Sequence, residues 1–365
     1  MKAAVLNAQP GPLEIEDLQI DNPGPDEVLI RVGGAGLCHS DLHFMEGIFR
    51  AKVPVVLGHE SAGVVEKVGD HVDYVQPGDH VITCVSIFCG SCKQCLTGHP
   101  YRCTNPKATS RPKNAPSRLT RSDGSAVDQF GRLGGFAEMM LVHQNGIVKI
   151  TKDMPLTHAA LIGCGITTGM GAVMNTAKIE PGSSVCVIGA GGIGLAAVQG
   201  ARISNAGQVI VVDVSDAKLE TARQLGATHL VNASTVDNVV EAVKEISGGG
   251  VDYSFEAIGK KATAEQAFAM LDVGGTATVI GMVPSKEMVE IRGIDLLAEK
   301  KLQGSMMGSN RFRIDMPNMV QMYLDGRLLL DEMISGTIPL AQINEGYELM
   351  KQGAVTRTVI DFNLS

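Results

Sequence analysis

The chain reads as an α/β protein: a doubly wound parallel sheet joined to a second, mainly β domain. Three features carry this expectation. The first 150 residues hold short apolar runs separated by turn residues. From about Ile166 strand-like and helical stretches alternate. Gly189-Ala190-Gly191-Gly192-Ile193-Gly194 stands where a strand hands over to a helix. At roughly 150 residues per domain, 365 residues suit two domains.

In the N-terminal part Lys2–Leu6, Val28–Val32, Gly63–Val68 and His80–Thr83 are expected strands. Asn22-Pro23-Gly24-Pro25 and Gln76-Pro77-Gly78-Asp79 punctuate them as turns. The stretch Thr104–Gly135, with Arg111, Arg118, Arg121 and Arg132 and little periodicity, is expected to be a solvated loop. The alternative is a lobe bordering a substrate entrance or a subunit interface. Further on, Val185–Ile188, Val209–Val212, His229–Val231, Tyr253–Phe255 and Thr276–Ile280 are apolar strand candidates. Ile193–Ser204, Asp216–Leu225, Asn238–Ile246 and Ala264–Leu271 between them have helical texture. Such alternation builds βαβ units and a parallel sheet with both faces covered. Met316–Tyr323 and Ile343–Met350 are expected terminal helices.

Composition removes several functions. Thirty-one basic against 39 acidic residues leave a net charge of −8, with no electrostatic footprint for nucleic acid or an anionic membrane. Apolar residues at 44% and charged residues at 19% suit a packed core. No window holds 18 uninterrupted apolar residues, and Met1-Lys2-Ala3-Ala4-Val5-Leu6-Asn7 turns polar too early for a signal-peptide core, so a cytoplasmic location is expected. Eight cysteines are too few for a disulfide scaffold in so long a chain, and their crowding points to metal.

The glycine motif is a dinucleotide fingerprint in its proper setting. Gly189 makes the turn, Gly191 lets the backbone approach a pyrophosphate, and Gly194 lets helix and strand pack closely. Gly192 and Ile193 open the helix, whose free N–H groups favour phosphate. Asp213, 19 residues after Gly194, ends the strand Val209–Val212. A carboxylate there bonds an adenosine ribose and repels a 2′-phosphate, which favours NAD. Lys218 is the expected second ribose contact.

Cys89, Cys92, Cys95 and Cys103 offer four thiolates within 15 residues. A closed tetrahedral set of this kind is a structural zinc site. An iron–sulfur cluster, a zinc ribbon or unligated thiols are the alternatives. Cys38, His59 and Cys164 are dispersed; three N/S ligands with one open position would make a catalytic zinc site, although spacing alone does not bring them together.

In Gly58-His59-Glu60-x2-Gly63-x5-Gly69-x2-Val72, Cys38-x-Ser40-x2-His43, the four-cysteine block, Gly163-Cys164-Gly165, the fingerprint and Arg357-Thr358, the chain resembles the zinc-dependent alcohol dehydrogenases of the medium-chain dehydrogenase/reductase family over nearly its whole length. The resemblance implies a GroES-like catalytic domain over 1–165, with a structural zinc lobe at about 86–104. A Rossmann domain would follow over 166–305, and residues 306–365 would return to the catalytic domain. It implies two Zn²⁺ per subunit, the catalytic one held by Cys38, His59 and Cys164 in the cleft between domains. Glu60 would lie behind that metal and Asp41 would orient His59. Ser40 would take the substrate proton and His43 pass it on, while hydride goes to NAD⁺. His39 and Arg357 would face the pyrophosphate, with His39 a weaker cation than the Arg many relatives carry, and Thr168 would pack behind the nicotinamide.

Val85 stands where many relatives place a large aromatic. Met282, Met306 and Met307 fall at pocket positions of relatives, and Phe49 adds an apolar wall. Together they suggest a roomy pocket for medium-chain, branched or aromatic alcohols. The glutathione-dependent formaldehyde dehydrogenase branch carries an acidic residue around Phe49, and its absence counts against an S-hydroxymethylglutathione substrate. Other readings are a nicotinoprotein that retains NAD(H) and uses an external acceptor, and a non-catalytic zinc and nucleotide-binding protein. A polyol dehydrogenase usually has Glu where this chain has Cys164. A homo-oligomer is expected, dimer before tetramer.

Overall fold

In the computed structural model, residues 1–112, 114–353 and 355–364 are described. The chain divides into two units: Met1–Cys164 with Arg311–Asp325 and Met333–Ser365, and Gly165–Asn310 with Gly326–Glu332.

The first unit is organised by one strand, Glu27–Gly36, buried at nine of its ten positions. It pairs antiparallel with Ser61–Val68, with Met139–His143 and with Arg357–Asp361 near the C-terminus. Its sequence EVLIRVGGAG explains both halves: β-branched and aliphatic residues pack against neighbouring layers, and the glycines admit close approach. A Cβ at Gly36 would stand 2.5 Å from a Glu60 carboxylate oxygen. The second sheet of this unit contains Lys2–Leu6, Leu13–Asp17 and Val55–Val56, and its strands enclose a core that includes Leu6, Leu57, Phe136 and Tyr347.

The second unit holds a six-stranded sheet, all parallel, in the spatial order His229–Asn232, Gln208–Asp213, Ser184–Ile188, Val251–Glu256, Leu271–Val279, Lys301–Gly304. The order reverses direction at Ser184–Ile188, the switch point where such sheets bind ligands. Helices Gly192–Ile203, Asp216–Gln224, Val239–Ser247 and Lys261–Ala269 form the crossovers.

Three features depart from the sequence reading. Leu156–Ala177 is one helical run of 22 residues, apolar and long enough to cross a membrane, yet most of it is buried inside the protein as a core helix. Being apolar on every side, it has no 3.6-residue alternation to reveal it. The expected solvated loop at 104–135 is instead partly ordered: Leu119–Thr120 pairs with Ala126–Gln129, and Leu119, Val127 and Leu133 are buried. Ion pairs tie it down, Arg111 and Arg118 to Glu27 and Arg121 to Glu16. Finally, residues 326–332 pack with the second unit, where Gln199 bonds the Leu329 backbone through both its amide groups and Arg202 bonds the Arg327 carbonyl.

Candidate metal centres and nucleotide site

Strand register assembles the dispersed ligands. Ala35 pairs with Ser61, and the Gly36 N–H donates to the Glu60 carbonyl at 2.9 Å, so the chain beyond Gly36 runs beside the chain before Ser61. Cys38 leaves the first strand as the N-cap of the helix His39–Met45. His59 and Glu60 enter the second strand after Gly58, whose φ of +91° suits glycine. Cys164 arrives on the helix Leu156–Ala177, which is wound as a π-turn over Ile162–Ile166. Such wide turns recur at functional sites. Gly163 lets that turn settle on the strand His80–Thr83, because a Cβ would stand 2.9 Å from the Thr83 carbonyl oxygen.

The result is a buried set in which one ligand atom from each of Cys38, His59, Glu60 and Cys164 lies within 4.8 Å of the others. Asp41 is fully buried, accepts the Gly58 N–H at 3.0 Å and stands 3.0 Å from His59 Nδ1. The His59 Nε2 is thereby left for a metal. Glu60 is engaged from behind by an ion pair with Arg357, itself buried. The electrostatics suit a cation. A hydrogen bond from Cys164 pulls the Cys38 thiol well below its usual range against the opposing effect of burial, and the same bond and burial push Cys164 up. Burial acts to lower His59, but Asp41 and Cys38 outweigh it and raise the imidazole well above its ordinary value. Two sulfurs and an imidazole converging on one point fit Zn²⁺.

The second set is closed. The Sγ atoms of Cys89, Cys92, Cys95 and Cys103 lie within 4.8 Å of one another. Backbone N–H groups of Ser91 and Cys92 point at Cys89 Sγ (3.4 and 3.2 Å), and that of Cys89 at Cys103 Sγ (3.3 Å). Backbone hydrogen bonds lower Cys92 to about 5, while burial and its bond to Cys92 push Cys95 up to about 12. With four sulfurs present and no position left for substrate, this is a structural zinc site.

In the second unit the fingerprint is built as a phosphate cradle. Gly189 has φ of +99°, Gly191 caps the helix Gly192–Ile203, and a Cβ on Gly194 would lie 1.7 Å from the Gly189 carbonyl oxygen. Asp213 closes the loop, accepting the Ala190 N–H at 2.7 Å and the Ser215 N–H at 3.0 Å. Lys218 lies in the first turn of the next helix, whose cap is Ser215. Thr168 is buried in the same unit, next to Gly169, where a Cβ would meet the Ile193 carbonyl at 2.2 Å. Its hydroxyl faces Met307 Sδ at 3.8 Å.

The remaining expected residues are placed as follows. Ser40 and His43 sit one turn apart on His39–Met45; His39 is exposed, and the buried His43 Nδ1 has no hydrogen-bond partner among the described residues. Phe49 packs on His43 and Phe44 at ring distances of 5.7 and 5.8 Å. Val85 lies beside Gly131, 3.1 Å from where its Cβ would stand. Met282 and Met306 are exposed in the second unit. Sequence reasoning passed over Phe130, whose ring meets the edge of His59 at 5.6 Å and Phe44 at 4.6 Å. Its one signal was an aromatic in the polar run Gln129-Phe130-Gly131-Arg132.

Comparison with known proteins agrees with this chemistry. Residues 24–152 match the alcohol dehydrogenase GroES-like domain family and residues 192–325 the zinc-binding dehydrogenase family. An S-(hydroxymethyl)glutathione dehydrogenase of Haemophilus influenzae is 38% identical over 370 aligned residues, covering 99% of this chain and 97% of that one. The crystal structure of benzyl alcohol dehydrogenase from Acinetobacter calcoaceticus superposes with a TM-score of 0.90 at 33% identity, covering 99% and 98% of the two chains. A zinc-binding dehydrogenase structure from Sinorhizobium meliloti 1021, with NADP bound, has a TM-score of 0.82 at 30% identity and the same coverage. With both metal sets and the cradle in place over a full-length match, this chain belongs to the zinc-dependent alcohol dehydrogenases of the medium-chain dehydrogenase/reductase family.

Proposed function

We propose that the protein oxidises apolar primary alcohols, medium-chain or aromatic, to aldehydes with hydride transfer to NAD⁺, and catalyses the reverse reduction. Secondary alcohols, giving ketones, extend the same chemistry. The observation that carries this reading is the buried convergence of Cys38, His59 and Cys164 with Glu60 held back by Arg357, which leaves one metal position for substrate. Zinc bound there supplies Lewis acidity that lowers the pKa of a hydroxyl. Ser40 receives the substrate proton and His43 carries it toward solvent; their one-turn separation on a single helix supports this relay. Asp213 favours NAD over NADP by occupying the ribose position with a carboxylate, and Lys218 adds a ribose contact. Thr168, in the same unit as the glycine motif, backs the nicotinamide. Phe49 and Val85, in the same unit as the catalytic ligands, are assigned to substrate binding.

A second reading comes from the relatives named as S-(hydroxymethyl)glutathione dehydrogenases. Phe49 is followed by Arg50, and neither is the acid expected for that substrate. Zinc-loaded protein supplied with NAD⁺ or NADP⁺ and ethanol, hexanol, benzyl alcohol, or formaldehyde plus glutathione separates the two. Steady NADH formation from benzyl alcohol or hexanol, exceeding that from the glutathione adduct, supports our reading; the opposite ranking replaces it. A single-equivalent burst sustained only by an artificial acceptor establishes a nicotinoprotein.

A homodimer is proposed as the assembly, with a tetramer as the alternative. Lys301–Gly304 is an edge strand, and Ile294, Leu296 and Leu297 just before it are exposed apolar residues, a combination that a second copy would cover. Sedimentation of the intact protein as a monomer would remove it. None of the eight cysteines is in a disulfide, and both metal sets need thiolates, which suits the reducing cytoplasm.

A further inference from the structure

The helix His39–Met45 ends in a tight turn. Gly47 has φ of +76°, and the N–H groups of Ile48 and Phe49 return to the His43 carbonyl at 2.9 and 3.3 Å. From there to Pro54 the chain is neither helix nor strand. Phe49 lies in this irregular stretch, yet its ring has a defined place. It meets the His43 ring edge-on at 5.7 Å and the Phe44 ring at 5.8 Å. Phe44 in turn lies 4.6 Å from Phe130, whose ring meets the edge of His59 at 5.6 Å. A continuous run of rings therefore joins this loop to one imidazole of the catalytic ligand set.

A side chain from much earlier in the sequence places the loop. Gln9 follows the strand Lys2–Leu6 and is half-buried. Its amide nitrogen donates to the Phe44 carbonyl at 2.5 Å and to the Phe49 carbonyl at 2.6 Å. Its amide oxygen accepts the Ala51 N–H at 2.9 Å. A carboxamide offers two N–H donors and one acceptor oxygen, and here each of them has its partner on the loop. The reversed amide would set its oxygen against two carbonyl oxygens, so the network fixes the orientation. These bonds grip the chain on both sides of the Gly47 turn with one planar group. The Gly11 N–H adds a bond to the Met45 carbonyl at 2.9 Å, which keeps the segment around Gln9 alongside.

We propose that Gln9 is a positioning residue for substrate selection. By clamping Phe44 and Phe49 it holds the Phe49 ring as a fixed wall against His43, and so favours alcohols large enough to reach that wall. The inference rests on the alcohol dehydrogenase reading above, in which Phe49 contacts the substrate. Gln9 itself stays off the substrate and acts through that ring. An irregular loop has many alternative conformations, and a wall that samples them binds a large substrate less well than one held in place. A merely structural role would lower stability and leave the ranking of alcohols untouched.

The test uses the zinc-loaded full chain and compares hexanol and benzyl alcohol with ethanol. Gln9→Met keeps the length of the side chain and removes all three bonds. It should lower the kcat/KM of each larger alcohol relative to ethanol about tenfold, through KM, with kcat for ethanol within about twofold of the parent. Gln9→Ala should repeat this loss. Gln9→Glu keeps the acceptor for Ala51 but turns acceptors toward the Phe44 and Phe49 carbonyls, and should lose at least as much. In a Phe49→Ala background, Gln9→Met should change the ratio no further, because the two residues act as one unit. An unchanged ratio in Gln9→Met overturns the proposal, as does a full loss on top of Phe49→Ala. If the parent oxidises none of these alcohols, the reading of the function fails, and hydrogen exchange decides the clamp separately. Faster exchange at the Ala51 amide in Gln9→Met, with the strand Glu27–Gly36 unchanged, upholds it; equal protection in parent and variant removes it.

Discussion

Asp41 Oδ2 lies 3.0 Å from His59 Nδ1, and both side chains are buried. The other Asp41 oxygen accepts the Gly58 N–H, so one carboxylate sets both the imidazole orientation and the turn that delivers it. Asp41→Asn should lower zinc affinity about 10–100-fold, the usual effect of losing such a supporting bond. Chelator competition reads this directly, and unchanged affinity would show that the imidazole is positioned by packing alone.

Ser40→Ala should reduce kcat while zinc content and NAD⁺ affinity stay as in the parent protein, since the loss is of a proton acceptor and not of a ligand. A pH–rate profile identical to that of the parent would remove Ser40 from the relay.

Asp213 bonds the fingerprint through Ala190 as well as presenting its carboxylate at the strand end. Asp213→Gly should therefore weaken NAD⁺ by about tenfold or more, roughly the worth of one charge-assisted hydrogen bond, and move the NAD⁺/NADP⁺ ratio of kcat/KM toward NADP⁺. An unaltered ratio would mean that the carboxylate serves the loop and not the ribose.

The four-cysteine lobe has little apolar core of its own; the short helix Lys93–Leu96 in it has no buried residue. Cys95→Ser should lower bound zinc from two equivalents to one and bring down the thermal midpoint, because metal binding here is folding energy. Metal analysis with differential scanning calorimetry checks both, and two retained equivalents would contradict the assignment.

Glu27 shows how pH acts on the fold. Burial alone would raise its carboxyl, but Arg111, the Gly24 N–H and Arg118 overcome this and hold it at about 2. Its folded value is below its unfolded value, so its stabilisation is complete above about pH 4.5 and fades as pH falls toward 2. Glu27→Gln should cost roughly 2–4 kcal/mol at pH 7, since Arg118 loses its acid. The gap in midpoint between parent and variant should narrow as pH drops below about 4.5. A gap independent of pH would show that the loss is one of packing.

Much of this molecule is written locally in its chain. The strand–glycine–helix handover at 185–203 and the four-cysteine block are contiguous, so their chemistry follows from spacing: Gly189 has a left-handed conformation and Gly194 a contact that no larger residue accepts, while the space around Gly191 is open. Cys38, His59 and Cys164 are different. Their motifs mark them, but they meet because Ala35 pairs with Ser61 and Gly163 seats a π-turn on Thr83, relationships between distant segments. The helix Leu156–Ala177 escaped notice since burial on all sides erases the pattern that reveals a helix. The ordered part of 104–135 escaped since its arginines look solvated until Glu16, Asp21 and Glu27 arrive from about 90 residues away or more. Charge in a sequence is a sum, while recognition depends on which charges remain unpaired once the chain has folded, and only long-range packing determines that.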